Sequence, residues 1–142
     1  MSTSVALEIE PVVDWRQAGE QFMVCIATRD FKALATSFHP QVRCRLLVPA
    51  GLMTPPDATG LADKFRQWFG AADRFTVERS EITCVGDRLH VGYTIRCREA
   101  GEWYLIEQHT YSRLEEGRIA SFDLICSGFR SAEAGDMDGG DS

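Results

Sequence analysis

Apolar runs of membrane length are missing from this sequence. No stretch approaches the roughly 20 residues that a spanning helix needs, and the first residues lack the basic and apolar regions of a secretory leader. Paired-cysteine motifs are missing too. Cys25, Cys44, Cys84, Cys97 and Cys126 are scattered, with no CxxC and no Cys/His cluster. An odd count without a leader fits reduced thiols in a cytoplasmic protein. Three histidines stand at no metal-ligand spacing, so no structural metal is expected. The phosphate loop, the dinucleotide fingerprint and the nucleophile elbow are all absent, so no cofactor is expected either. Lysine is scarce, two against thirteen arginines, and no basic stripe forms. The formal charge is −6, and four of the acids (Glu133, Asp136, Asp138, Asp141) sit in the last twelve residues. A near-neutral body argues against a nucleic-acid partner.

What is present is an ordinary globular composition. At 142 residues, with 44% apolar and 25% charged side chains, the chain is long enough for one domain with a sizeable core. Asp14 is a good N-cap for a helix to about Thr28, with Trp15, Ala18, Phe22, Cys25 and Ile26 on one stripe. Asp30 caps a shorter helix, Phe31 to Phe38, which His39-Pro40 breaks. Val42 to Val48 reads as a strand. Pro49 to Gly60, with three prolines and two glycines, reads as a loop beside a cavity, and a third helix spans about Leu61 to Ala72. From Phe75 onward the pattern is four strands, punctuated at Gly86-Asp87, Glu99-Ala100-Gly101 and Glu115-Glu116-Gly117. Residues 131–142 read as a disordered acidic tail after a single domain, 1–130.

The last hairpin organises this reading. If Glu115-Glu116-Gly117 is a three-residue loop with glycine in the left-handed position, His109 faces Asp123, Tyr111 faces Ser121 and Glu107 faces Ile125. A matching loop at Glu99-Ala100-Gly101 puts Tyr93 opposite Glu107 and Val91 opposite His109. A two-residue Ala-Gly loop would instead put Tyr93 opposite Gln108. The glycine position favours the first register, and with it one sheet face carrying Tyr93, Glu107, His109 and Asp123. Helices first and a long antiparallel sheet after them make an α+β domain.

RDFKALATSFHPQVRCRLLVPAG, the helix around FRQWFG, and QHTYSRLEEGRIASFDL together resemble the nuclear-transport-factor-2-like superfamily, and within it the polyketide-cyclase, SnoaL-like branch. The resemblance covers roughly residues 14–130. It implies a cystatin-like cone, a curved antiparallel sheet wrapped around the N-terminal helices, with a pocket for a small hydrophobic molecule. It also implies frequent homodimerisation through the outer sheet face, here carrying Arg79, Glu81, Thr94 and Arg96. The branch offers a histidine and an aspartate on the last two strands, which His109 and Asp123 could match, although the aspartate sits about one residue off the usual pattern. Isomerase-like and dehydratase-like chemistries are disfavoured, because their acidic or tyrosine positions are here Arg45 to Val48, Phe22 and Ala27.

The catalytic candidates are therefore Asp123 and His109, a carboxylate–imidazole pair suited to proton transfer beside a carbonyl, with Tyr93 as an orienting hydroxyl. Tyr111, Glu107, Trp68 and Phe22 are the candidate substrate contacts. Two functions stay open: a cone protein that binds a small hydrophobic molecule, with or without cofactor-independent acid/base chemistry of the cyclase or isomerase type, and a non-catalytic dimeric binding or accessory module.

Overall fold

The computed structural model describes residues 15–133. The expected cap at Asp14 and most of the acidic tail lie outside them. Helix α1 (Trp15–Thr28) is followed by α2 (Phe31–Ser37), whose cap is Asp30: its carboxylate accepts from the Ala33 amide at 3.0 Å. Strand β1 (Phe38–Val48) starts directly at the end of α2, four residues earlier than the alternation in the sequence suggests. Short strand β2 (Gly51–Met53) pairs back on β1 within the segment read as loop. Helix α3 (Ala58–Phe69) also starts earlier than expected. Asp57 caps it, accepting from Gly60 N at 2.9 Å, so the prolines end in a helix start rather than running on as loop. Its far end is held by Arg29, whose guanidinium donates to the carbonyls of Phe69 and Ala72 at 2.9 and 2.8 Å.

Strands β3 (Arg74–Val85), β4 (Arg88–Glu99), β5 (Glu102–Glu115) and β6 (Arg118–Cys126) form an antiparallel meander. The sheet order is β2-β1-β6-β5-β4-β3, with β1 and β6 parallel. The helices cover one face, the inner one, where Phe22, Ile26, Leu34, Phe65, Phe69, Phe122, Ile95 and Ile106 are fully buried. Phe22 meets Phe65, Tyr93 and Phe122 with ring centroids 5.7–6.2 Å apart. This is the expected α+β cone.

The registers differ from the expected ones. Both hairpins turn on two residues, Ala100-Gly101 (φ +53° and +83°) and Glu116-Gly117 (φ +55° and +81°). Two successive positive φ values are the type I′ geometry, whose twist matches that of the flanking strands. A non-glycine residue therefore takes the first left-handed position at each turn, which the three-residue reading had excluded. Glu99 pairs with Glu102, and Tyr93 with Gln108 rather than Glu107. In the last hairpin a bulge between Arg113 and Leu114 shifts the register again, so His109 faces Ile125 and Tyr111 faces Asp123.

The chain does not end its order at Arg130. After β6 it kinks at Ser127–Phe129 and resumes as β7 (Arg130–Ser131), paired with Tyr104 and Leu105 of β5. The Ala132 amide also reaches the Trp103 carbonyl at 3.0 Å. The kink lays Phe129 on Phe69 (6.1 Å, stacked) and edge-on to Tyr104 (5.7 Å). Phe129 remains 36% exposed, so Phe129→Ala should cost about 1–2 kcal/mol, less than a fully buried ring. Urea unfolding followed by tryptophan fluorescence checks this; an unchanged midpoint would mean that the kink does not pack in solution.

Candidate functional site

The inner face and the outer face hold different chemistry. On the inner face the buried polar groups are neutral. Tyr93 (2% exposed) donates from its hydroxyl to Gln108 Oε1 at 2.6 Å, and Gln108 Nε2 donates to Cys126 Sγ at 3.3 Å. Thr110 is tied to the Val91 carbonyl at 3.1 Å. Among the described residues, no carboxylate or imidazole is buried on this face. Burial holds the Tyr93 phenol well above its usual range, so it is a permanent donor rather than a base. Gln108 has no water-accessible surface, so the floor of the cone is packed. Towards the mouth, Trp68 and Tyr104 are only partly buried around Phe69 and Phe129.

The sequence candidates divide between the two faces. Tyr93 and Phe22 belong to the interior, and Trp68 to the mouth, 5.2 Å from the Phe65 ring. Glu107, His109, Tyr111 and Asp123 all lie outside. His109 and Asp123 do share a face, because the true register differs from the expected one by an even step. They are not partners, however. Asp123 receives a two-pronged bond from Arg45 on the adjoining β1, at 2.9 Å to each oxygen. That bond holds its carboxyl below the usual carboxylate range. Arg43, Arg88, Arg113 and Ser121 join the pair around a shallow, open depression.

His109 has a different set of neighbours. Its Nε2 lies 2.8 Å from Glu107 Oε2, and its Nδ1 lies 3.1 Å from Nε2 of His90. His90 Nδ1 in turn lies 3.0 Å from the Thr83 hydroxyl. The two imidazoles lie nearly coplanar and edge to edge, 8° apart in plane with centroids 5.3 Å apart, and the Tyr111 ring sits 4.9 Å from His90. His90 lies on the outer face but is only 7% exposed, because neighbouring rings roof it over. Arg96, proposed for a subunit contact, is likewise buried (6%), with its guanidinium on Glu78 at 2.5 Å. Arg79, Glu81 and Thr94 do lie on the outer face.

Gly92 makes the histidine pair possible. A Cβ at that position would lie 2.7 Å from His109 Nδ1 and 2.8 Å from its Cε1. The pair was not legible in advance, since it needs Gly92 to face His109 and that pairing follows only from the two-residue turn. Gln108 was missed for the same reason.

The fold and these faces define a cone-shaped α+β protein with a neutral aromatic interior. A family model described as the SnoaL-like domain matches residues 20–122. The chain belongs to the SnoaL-like family, within the nuclear-transport-factor-2-like superfamily. No curated protein matches it in sequence. Among solved structures it is similar to IdmH of Streptomyces antibioticus, a candidate polyketide cyclase (17% identity, 80% of this chain and 91% of that one, TM-score 0.65). It is similar to an epoxide hydrolase of M. tuberculosis (15%, 80% and 82%, TM-score 0.61). A third neighbour is a protein of Catenulispora acidiphila with a ketosteroid isomerase-like fold, in complex with trimethylamine (13%, 79% and 86%, TM-score 0.66). Identities this low establish the fold alone. Among the described residues, no helix is long and apolar enough to cross a membrane.

Two expected outcomes follow. Gly92→Ala should force the rings apart and destabilise the fold by about 1–3 kcal/mol, measured by thermal or urea unfolding; a neutral result would mean that His109 swings away freely. The second concerns pH. Burial first, and the neighbouring His109 second, lower the His90 pKa, against an opposing pull from Glu81. The unfolded chain therefore binds this proton at a higher pH than the folded chain. Stability should be full above about pH 6.5 and fall as pH drops through the folded value. His90→Gln should flatten that slope in urea titrations between pH 7.5 and 5, above the range where Asp73 and Asp123 titrate.

Proposed function

We propose that this SnoaL-like protein binds a small, neutral, hydrophobic and cyclic molecule at the aromatic mouth of its cone, as a homodimer joined through its outer sheet face. The observation that carries the reading is the inner surface itself: aromatic and aliphatic walls, partly buried Trp68, Tyr104 and Phe129 at the mouth, and buried polar groups that are all uncharged. A charged ligand would have to enter without a counter-charge, which the desolvation cost forbids. A ligand carbonyl or hydroxyl reaching the floor could compete with Cys126 for the Gln108 amide, a weak bond that is easily exchanged.

The same chemistry limits what the cone can catalyse. Tyr93 and Gln108 are donors of the kind that stabilise a developing oxyanion. A base is missing from the described interior, and His109 and Asp123 lie across the sheet from it. Proton transfer in the cone would then rely on groups of the substrate. A second reading, a non-catalytic accessory module, draws support from the outer face. That face carries a histidine network beside Arg79, Glu81 and Thr94 and, separately, an arginine-rich depression, polar groups that a two-fold axis can pair with a second copy.

Fluorescence titration with a neutral tricyclic phenol and with its carboxylate analogue separates the two. Saturable quenching by the phenol, about tenfold weaker for the carboxylate and lost in Trp68→Ala, is the expected result. A flat response to a broad neutral panel would overturn the ligand reading and leave the accessory module. Light scattering at micromolar concentration should give a dimer mass; a monomer would remove the association part of the proposal.

A further inference from the structure

The chain Thr83–His90–His109–Glu107 on the outer face has only one self-consistent arrangement of hydrogens while both rings are neutral. An ionised carboxylate only accepts. Glu107 Oε2, 2.8 Å from His109 Nε2, therefore requires the proton on that nitrogen. His109 Nδ1 is then bare and accepts. His90 Nε2, 3.1 Å away, must donate to it. This leaves His90 Nδ1 bare, so the Thr83 hydroxyl, at 3.0 Å, must be its donor. One carboxylate at one end sets both tautomers and the direction of a hydroxyl three groups away.

We propose that these four groups form a polarised proton wire that takes up a single proton as a unit and reverses its direction in doing so. A proton arriving at His90 Nδ1 displaces the proton on His90 Nε2, which crosses the 3.1 Å gap to His109 Nδ1. The new N–H at His90 Nδ1 then donates to Thr83 Oγ1, which has turned from donor to acceptor. The balance is one N–H formed at each ring and one lost at His90, and the positive charge settles on His109 beside Glu107 rather than on the buried ring. A second proton is refused, because two imidazoliums would point N–H groups at each other across the 3.1 Å gap. The groups that face the pair are Arg79 and Glu81 of β3, Arg88 of β4, and Glu107, Tyr111 and Arg113 of β5. Gly92 holds the geometry by leaving the space that the rings fill. The outer face thus has a built-in place where acidification adds one charge.

Nitrogen-15 NMR of the imidazoles in the full chain tests this. At pH 8 both His90 and His109 should carry the proton on Nε2 and show bare Nδ1. On acidification the pair should gain one proton in a first step, with His90 Nδ1 becoming protonated, and the second step should come only well below it. Glu107→Gln, which can donate as well as accept, should release the lock and give mixed tautomers at pH 8. Thr83→Val removes the acceptor that the charged form needs, so the first step should move down by about 0.5–1 pH unit. A His90 ring found as the Nδ1–H tautomer at pH 8 would overturn the wire. So would two rings that each titrate independently. The backbone amide spectrum checks that each variant is folded, and the tautomers of the unmutated chain decide the question by themselves.

Discussion

Which side of the sheet each residue of β4 and β5 occupies relative to the other is decided by the type I′ turn at Ala100-Gly101, while β6 is set by the turn at Glu116-Gly117 together with the bulge between Arg113 and Leu114. Side chains in a strand alternate with a period of two, so a loop that is shorter by one residue moves one strand's set across the sheet relative to its neighbour. The first turn pairs Tyr93 with Gln108, and it thereby builds the interior hydrogen bond while sending Glu107 and His109 outside. Gly92 comes to face His109 by the same register, and the hydrogen-bonded histidines follow. Both faces of the protein are consequences of one backbone choice.

The division of chemistry between the faces follows from desolvation. Helices α1 and α3 close over the inner face and remove it from water, so only groups that are neutral or already bonded remain there at tolerable cost. Tyr93, Gln108, Thr110 and Cys126 satisfy one another or the backbone. The outer face keeps enough solvent contact to carry Arg45 with Asp123 and Arg98 with Asp73 as ion pairs, and His109 hydrogen-bonded to Glu107. Arg96 with Glu78 is the more deeply buried of these pairs, and its close, two-pronged geometry offsets part of the desolvation. Exposed pairs such as Arg45–Asp123 orient their partners more than they stabilise the fold.

This arrangement separates two properties that a family resemblance would merge. A histidine and an aspartate on the last two strands suggest an acid/base pair in a pocket, yet here each has acquired a different partner on the far side of the sheet. The cone keeps its aromatic walls. Acid/base character has moved to the outer face, where it sits among arginines and carboxylates instead of against a hydrophobic substrate.

The order of helices and strands was legible from the sequence, because apolar period, Asp30 as a cap and the Gly-containing turns are local signals. The cone was legible too, through motifs that mark helix starts and strand ends. Local signals failed where a distant partner made the decision. The early start of β1 depends on pairing with β6, and Ser131 is ordered by β5. Shared-face membership of His109 and Asp123 was determined by even spacing along the strands. Which face it was, and who bonds to whom, was decided only in the tertiary structure, because a left-handed alanine or glutamate at a turn is written in the energy of the paired strands and not in its own side chain.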